Sequence, residues 1–119
     1  MLTYVRWYWP DDDRWNYDEL GTDRWTLRHV ELRGSDGVFM AAASLAEVLI
    51  ARDSGIQGAV TEYEQRYGIV PAAPFPLPDP ASQPAVESLP SEGFERLWRD
   101  ARRQLEQQTA ADSSVREEQ

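Results

Sequence analysis

His29 is the only side chain in this sequence that titrates near neutrality, so a serine-type or histidine-base mechanism would have to run through it. Asp18, Glu19 and Glu31 are the acids that could orient it, and a nearby serine would be the nucleophile. No serine sits in a nucleophile-elbow context. Asp18 and Glu19 are neighbours on an expected strand, so they face opposite sides and cannot act as a carboxylate pair. The favoured reading of His29 is structural, a strand histidine hydrogen-bonded across a sheet. Asp11-Asp12-Asp13 supplies hard oxygen ligands, yet adjacent ligands point apart and the Asp-x-Asp-x-Asp-Gly loop is absent. A solvated turn is expected there. With no Gly-rich phosphate loop, no lysine and no cysteine, the reading leans away from an enzyme and expects no catalytic residue, no cofactor and no metal site.

The aromatic residues carry more information. Four of the five tryptophans and seven of the 13 aromatic side chains lie within residues 1–25. Strand alternation puts Val5, Trp7 and Trp9 on one face and Tyr4, Arg6 and Tyr8 on the other. A domain this small cannot make deep core of both rows. Either one row is core and the other packs under a helix, or Tyr4, Arg6 and Tyr8, with Trp15 on the adjoining loop, stay partly open as a binding surface. Tyr, Trp and Arg often carry interface energy, and Arg6, Arg24 and Arg28 are placed to stack among the rings.

The elements that position these residues read from the pattern. Thr3 to Trp9 is a β-branched and aromatic strand stopped by Pro10. Strands around 15–20, 24–33 and 38–43 follow, the last two joined by Gly34-Ser35-Asp36-Gly37. The alternation slips between Trp25/Leu27 and Val30/Leu32, which calls for a bulge near Arg28-His29 or a strand buried on different faces at its two ends. Ser44-Leu45-Ala46-Glu47 fits a capping box, and Ser54-Gly55-Ile56-Gln57 repeats the signature. Ile56, Val60, Tyr63 and Tyr67 make a helical stripe ended by Gly68. Residues 71–90 hold seven of the eight prolines and read as an extended strap. Phe94, Leu97, Trp98, Ala101 and Leu105 form the stripe of a last helix, flanked by Glu92–Arg96, Glu95–Arg99 and Arg102–Glu106 pairs.

The expectation is an α+β fold. It comprises an antiparallel, coiled sheet of three or four strands (a half-barrel-like meander), two short helices, and a C-terminal helix returning onto the sheet. Residues 1–108 form the single domain, with a frayed polar tail over 109–119.

Composition sets limits on partners. The chain has 119 residues, 21 acids against 12 bases, and a net charge of -9. That balance disfavours nucleic acid, whose phosphates call for a basic face. No stretch is long and apolar enough for a membrane span, and no signal-peptide core opens the chain, so a cytoplasmic location is expected.

Tyr4-Val5-Arg6-Trp7, the acidic loop, Tyr17-Asp18-Glu19-Leu20, the strand Arg24 to Leu32 with its Asp36-Gly37 turn, and Phe94-Glu95-Arg96-Leu97-Trp98 occur in that order. Together they resemble a family of small acidic, Trp-rich bacterial proteins of actinomycete type, a domain of unknown function. The resemblance covers roughly residues 3–44 and 91–101, and implies a fold but no activity.

The function expected is a non-catalytic, acidic protein-binding module, of immunity or inhibitor type or a regulatory partner, for a basic protein. Its binding residues would be Tyr4, Arg6, Tyr8, Trp15, Arg24 and Arg28. The alternative is a small-ligand binder or enzyme using a sheet–helix cleft around Trp7, Trp25, His29 and Trp98.

Overall fold

The β-branched and aromatic runs form four consecutive strands: β1 (Thr3–Trp9), β2 (Arg14–Leu20), β3 (Thr26–Arg33) and β4 (Phe39–Ser44). This computed structural model describes residues 2–76 and 85–117, with side chains as far as Gln108. Helices α1 (Leu45–Asp53) and α2 (Ala59–Tyr67) follow, then a short strand β5 (Val86–Ser88) and the long helix α3 (Ser91–Glu117). All strands are antiparallel in one open sheet of order β4-β3-β2-β1-β5. The architecture is α+β with a C-terminal helix on the sheet, as the pattern predicts.

The sheet has five strands rather than three or four. β5 arises inside the proline-rich strap, where Val86-Glu87-Ser88 is too short to show alternation. It adds to the edge of β1 through Val5↔Ser88, Arg6↔Glu87 and Trp7↔Val86. The expected slip in β3 is a bulge at Leu27, one residue before Arg28: Glu19 faces Arg28, but Leu20 faces Thr26. A second irregularity falls at Met40, between the Glu31↔Ala41 and Leu32↔Phe39 pairs.

Register then sorts the side chains. Tyr4, Arg6, Tyr8, Trp15, Tyr17, Glu19, Arg28, Val30, Leu32, Ala42 and Ser44 share the face that receives the helices. Val5, Trp7, Trp9, Arg14, Asn16, Asp18, His29, Glu31, Ala41 and Ala43 share the other. The core lies on the helix face, where Tyr17, Val30 and Ala42 meet Tyr67, Phe94, Ala101 and Leu105. The stripe expected of the last helix is the stripe that docks, and Phe94 is fully enclosed.

The first capping box forms on one side only. Ser44 Oγ accepts from the Glu47 amide at 3.4 Å, but the Ser44 amide donates to Tyr63 Oη at 2.8 Å, not to Glu47. The second signature closes a helix instead of opening one. Ser54 caps the end of α1, its hydroxyl donating to Ala51 O at 2.7 Å. Gly55 (φ 74°) and Gly58 (φ 82°) both take left-handed backbone, which a helix through them forbids, so α2 starts at Ala59. Ile56 therefore drops out of the stripe and is 69% exposed.

The strap leaves α2 at Gly68 (φ 98°), where a Cβ would lie 2.6 Å from that of Ala41. It is tied to the start of β3 by the Trp25–Pro74 bridge and by Phe75 N–H donating to Arg24 O at 2.8 Å. Part of it, residues 77–84, lies outside the described residues.

Candidate functional site

Arg28 and His29 are consecutive on β3 and point to opposite faces. His29 sits on the face away from the helices and is 4% exposed. Its Nδ1–H donates to Asp18 Oδ1, directly across the β2–β3 pair, at 2.6 Å, and its Nε2–H donates to Glu31 Oε2 at 3.0 Å. Burial pushes the imidazole toward neutrality. The two carboxylates overcome it and raise its pKa to about 9. Glu31 is held below its ordinary value, chiefly by the hydrogen bond from His29 and against burial. Trp7 Nε1 donates to Asp18 Oδ2 at 3.3 Å, and Arg14 Nε lies 3.8 Å from Glu31 Oε1. The result is a row of polar contacts from the Trp7 indole through Asp18, His29 and Glu31 to Arg14. Both ring nitrogens of the protonated imidazole are engaged as donors, so His29 has no lone pair to offer a substrate. The histidine is hydrogen-bonded across the sheet, with Glu31 as an additional partner on its own strand.

On the helix face Arg28 is bracketed in the same way. Its Nε and Nη2 donate to both oxygens of Glu19 at 2.8 Å, and the guanidinium also pairs with Glu95 of α3. It lies 5.1 Å from the ring centroids of both Phe94 and Trp98. Arg102 approaches Trp98 at 4.5 Å and Tyr67 at 3.8 Å, donates to Ala42 O at 2.8 Å, and pairs with Glu47. Glu47 in turn accepts from Tyr63 Oη at 2.6 Å. Burial and that carboxylate push the Tyr63 hydroxyl up to about 12. Glu95 and Arg102 thus reach to the sheet and to α1.

The four residues of the expected cleft do not converge. Trp7 and His29 lie on one face of the sheet, Trp98 packs on the other, and Trp25 is 39% exposed at the start of β3.

The six expected binding residues divide into three groups. Tyr4 lies under α3, its ring 5.2 Å from that of Phe94, with Arg28 beside the same ring. Arg24 precedes the start of β3 in left-handed backbone (φ 65°), its guanidinium donating to Phe75 O and Pro76 O at 3.0 and 2.8 Å. Arg6, Tyr8 and Trp15 come together: Arg6 stands 5.3 Å from the Trp15 ring centroid, and the Tyr8 and Trp15 rings are 5.2 Å apart. All three are half-buried. The more open rings in this part of the chain are Trp9, at 38%, and Trp25.

Beside that trio is a shallow hollow of about 300 Å³, lined by Tyr8, Asp13, Trp15, Gly34 and Ser35. The sequence pattern places Asp13 only in a solvated turn. It takes left-handed backbone (φ 53°) and turns its carboxylate inward, where Oδ1 accepts from Tyr8 Oη at 2.6 Å and Oδ2 from the Ser35 amide at 2.9 Å. The Gly34 amide donates to Asp13 O at 3.0 Å, so one aspartate joins the β1–β2 and β3–β4 turns. A Cβ at residue 34 would run into Asp13 Oδ1 and crowd the Tyr8 ring. Hydrogen bonding from Tyr8 keeps the Asp13 carboxyl below its ordinary value. The sequence signal was available: aspartate tolerates left-handed backbone, and this one ends the loop between two aromatic strands.

A second open hollow of about 380 Å³ lies beside β4, α2 and α3, with Arg33, Phe39, Met40 and Arg66 among its walls. Among the described residues no three His, Cys, Asp or Glu are grouped to hold a metal ion, and no helix is long and apolar enough to cross a membrane. No protein-family profile matches the chain, and no curated protein or solved structure shows significant similarity to it.

Proposed function

We propose that this chain is a non-catalytic binding module for a basic protein, of the immunity or inhibitor type or a regulatory partner, acting in the cytoplasm. The observation that carries the reading is where the positive charge goes. Arg14, Arg24, Arg28 and Arg102 are turned onto carboxylates, backbone carbonyls and rings of the chain itself, and Arg6, Arg33, Arg52 and Arg103 each face an acid. The excess of acids over bases is left to the surface, with Asp11, Asp12, Glu62 and Glu92 among the exposed carboxylates. An acidic surface of this kind speeds capture of a basic partner by steering, and half-buried rings give such a complex its anchors. His29, with both nitrogens engaged, supports a binding role over a base in catalysis. Arg6, Tyr8 and Trp15 are the anchors put forward. Tyr4, Arg24 and Arg28 serve the fold, at other places on the sheet. The likeness to small acidic actinomycete-type proteins is part of the same proposal.

The test is capture of a partner from the source cytosol on immobilised protein, followed by titration of the purified partner at about 0.05 M and about 0.5 M salt. The expected partner is basic, and its affinity falls about tenfold or more across that range. A neutral or acidic partner, or binding indifferent to salt, overturns the reading.

A further inference from the structure

We propose that the hollow between the two hairpin turns takes the ammonium group of a lysine side chain, presented by the basic partner; this rests on the binding reading above and names the chemistry it recognises. Three features of the hollow point to a cation on an apolar stem. The first is its lining, in which the tilted Tyr8 and Trp15 rings stand beside one carboxylate. Ring faces attract a cation, and a carboxylate beside them supplies the opposite charge that rings lack. Trp15 already accepts one cation, Arg6, whose charge is matched by Glu87 at 2.9 Å.

The second feature is that the carboxylate is fixed and ionised before any ligand arrives. Tyr8 Oη and the Ser35 amide occupy one acceptor position on each Asp13 oxygen, and each oxygen keeps further lone pairs. A preset carboxylate loses no rotamer freedom on binding.

The third is that the backbone departs from its easy conformations to make the hollow. Asp13 is left-handed, and residue 34 has to lack a Cβ because one would fill the space that the carboxylate and the Tyr8 ring occupy. The charges around the rim are acidic on balance. Asp11 and Asp12 are exposed beside it, and the two arginines near Asp13 each face another acid, Arg33 with Asp36 at 2.7 Å and Arg14 with Glu31 at 3.8 Å. An anion would meet a carboxylate, and a hard metal ion would find one carboxylate among rings.

The experiment is a nuclear magnetic resonance titration of the whole protein with N-acetyl-lysine methylamide, using its norleucine counterpart as the neutral probe of similar shape. The lysine probe is expected to shift the Trp15 indole and Tyr8 ring signals saturably, and the norleucine probe to leave them in place. Asp13→Asn is expected to weaken the lysine response about tenfold, and the double variant Asp11→Asn, Asp12→Asn by about twofold or less. No saturable shift, an equal response to norleucine, or an equal loss in the Asp11/Asp12 variant overturns the proposal. The contrast between the two probes needs no substitution, so it decides the matter even if Asp13→Asn does not fold. Salt-sensitive partner capture without a lysine response removes the hollow and keeps the binding reading. A lysine response in a chain that captures no basic protein does the reverse.

Discussion

Residues 28 and 29 carry the same arrangement on opposite faces of one sheet, a cation held between two carboxylates. Arg28 lies between Glu19 and Glu95, and His29 between Asp18 and Glu31. The difference is in the cation and its surroundings. Arg28 keeps 19% of its side chain in water, stacks on rings, and cannot lose its proton in the working range. His29 and Asp18 keep 5% and 2%, and the imidazole is charged only because its neighbours overcome burial. One clamp is permanent and joins helix to sheet. The other is conditional and joins two strands. A buried pair is a weak source of net stability, because desolvation offsets attraction, yet breaking it is expensive.

The largest expected effect follows from that asymmetry. His29→Leu leaves Asp18 buried without its cation and lowers stability by about 3–5 kcal/mol in denaturant unfolding. The double variant Asp18→Leu, His29→Leu recovers most of the loss, since an apolar pair of similar volume replaces the charges. Equal losses in the single and double variants would show that packing, and not charge, holds this face.

Next is the pH dependence. His29 has its folded pKa raised above its unfolded value, so its contribution is fully present below about pH 6.5 and is lost as pH rises toward 9. At about 1.4 kcal/mol per unit, a shift to about 9 corresponds to about 3 kcal/mol. Glu31 is depressed, so its contribution is present above its ordinary 4.5 and declines as pH falls below that. Unfolding measured from pH 6 to 9.5 should therefore show a loss that His29→Leu abolishes. A wild-type profile that stays flat over this window contradicts the double clamp.

Arg102→Lys keeps the charge on the helix face but loses the forked contacts to Glu47 and Ala42 O and the stack on Trp98 and Tyr67. A cost of about 1–2 kcal/mol is expected, with no change in the pH profile above neutrality. A loss below about 0.5 kcal/mol would reduce this stack to decoration. The smallest effect belongs to Arg103→Ala, whose pair with Asp100 is 67% and 58% exposed; it should change stability by less than about 0.5 kcal/mol.

The helix face was largely legible in the sequence, and the opposite face was not. Phe94, Leu97, Trp98, Ala101 and Leu105 repeat at helical spacing, so the docking stripe of α3 follows from pattern; the alternation of β1 separates Tyr4 from Val5 but does not say which row that stripe covers. The structural role of His29 was readable too. Glu31 was among the acids the sequence offers it, since residues 29 and 31 share a strand face; that Asp18 and Glu31 would both bond the ring at once was not legible, because it depends on the β2–β3 register. β5 escaped because three residues show no period. Ser54 misled because its side chain serves a helix end as readily as a beginning, and Gly55 and Gly58 decided which. Helical spacing pairs Arg102 with Glu106 along its own helix, and its reach to Glu47, 55 residues away, is a tertiary fact.

The β1–β5 pairing bears on how the chain is made. Leu89 N–H donates to Tyr4 O at 3.1 Å, and Glu87 bonds to Arg6, so the first strand acquires its outer neighbour from residues about 80 positions later. While the ribosome extends the chain past β4, that flank has backbone groups open to any passing strand, and nothing yet shields Tyr4 from water. Safe assembly therefore depends on late-arriving residues, and a nascent chain halted before residue 86 is the species most exposed to self-association.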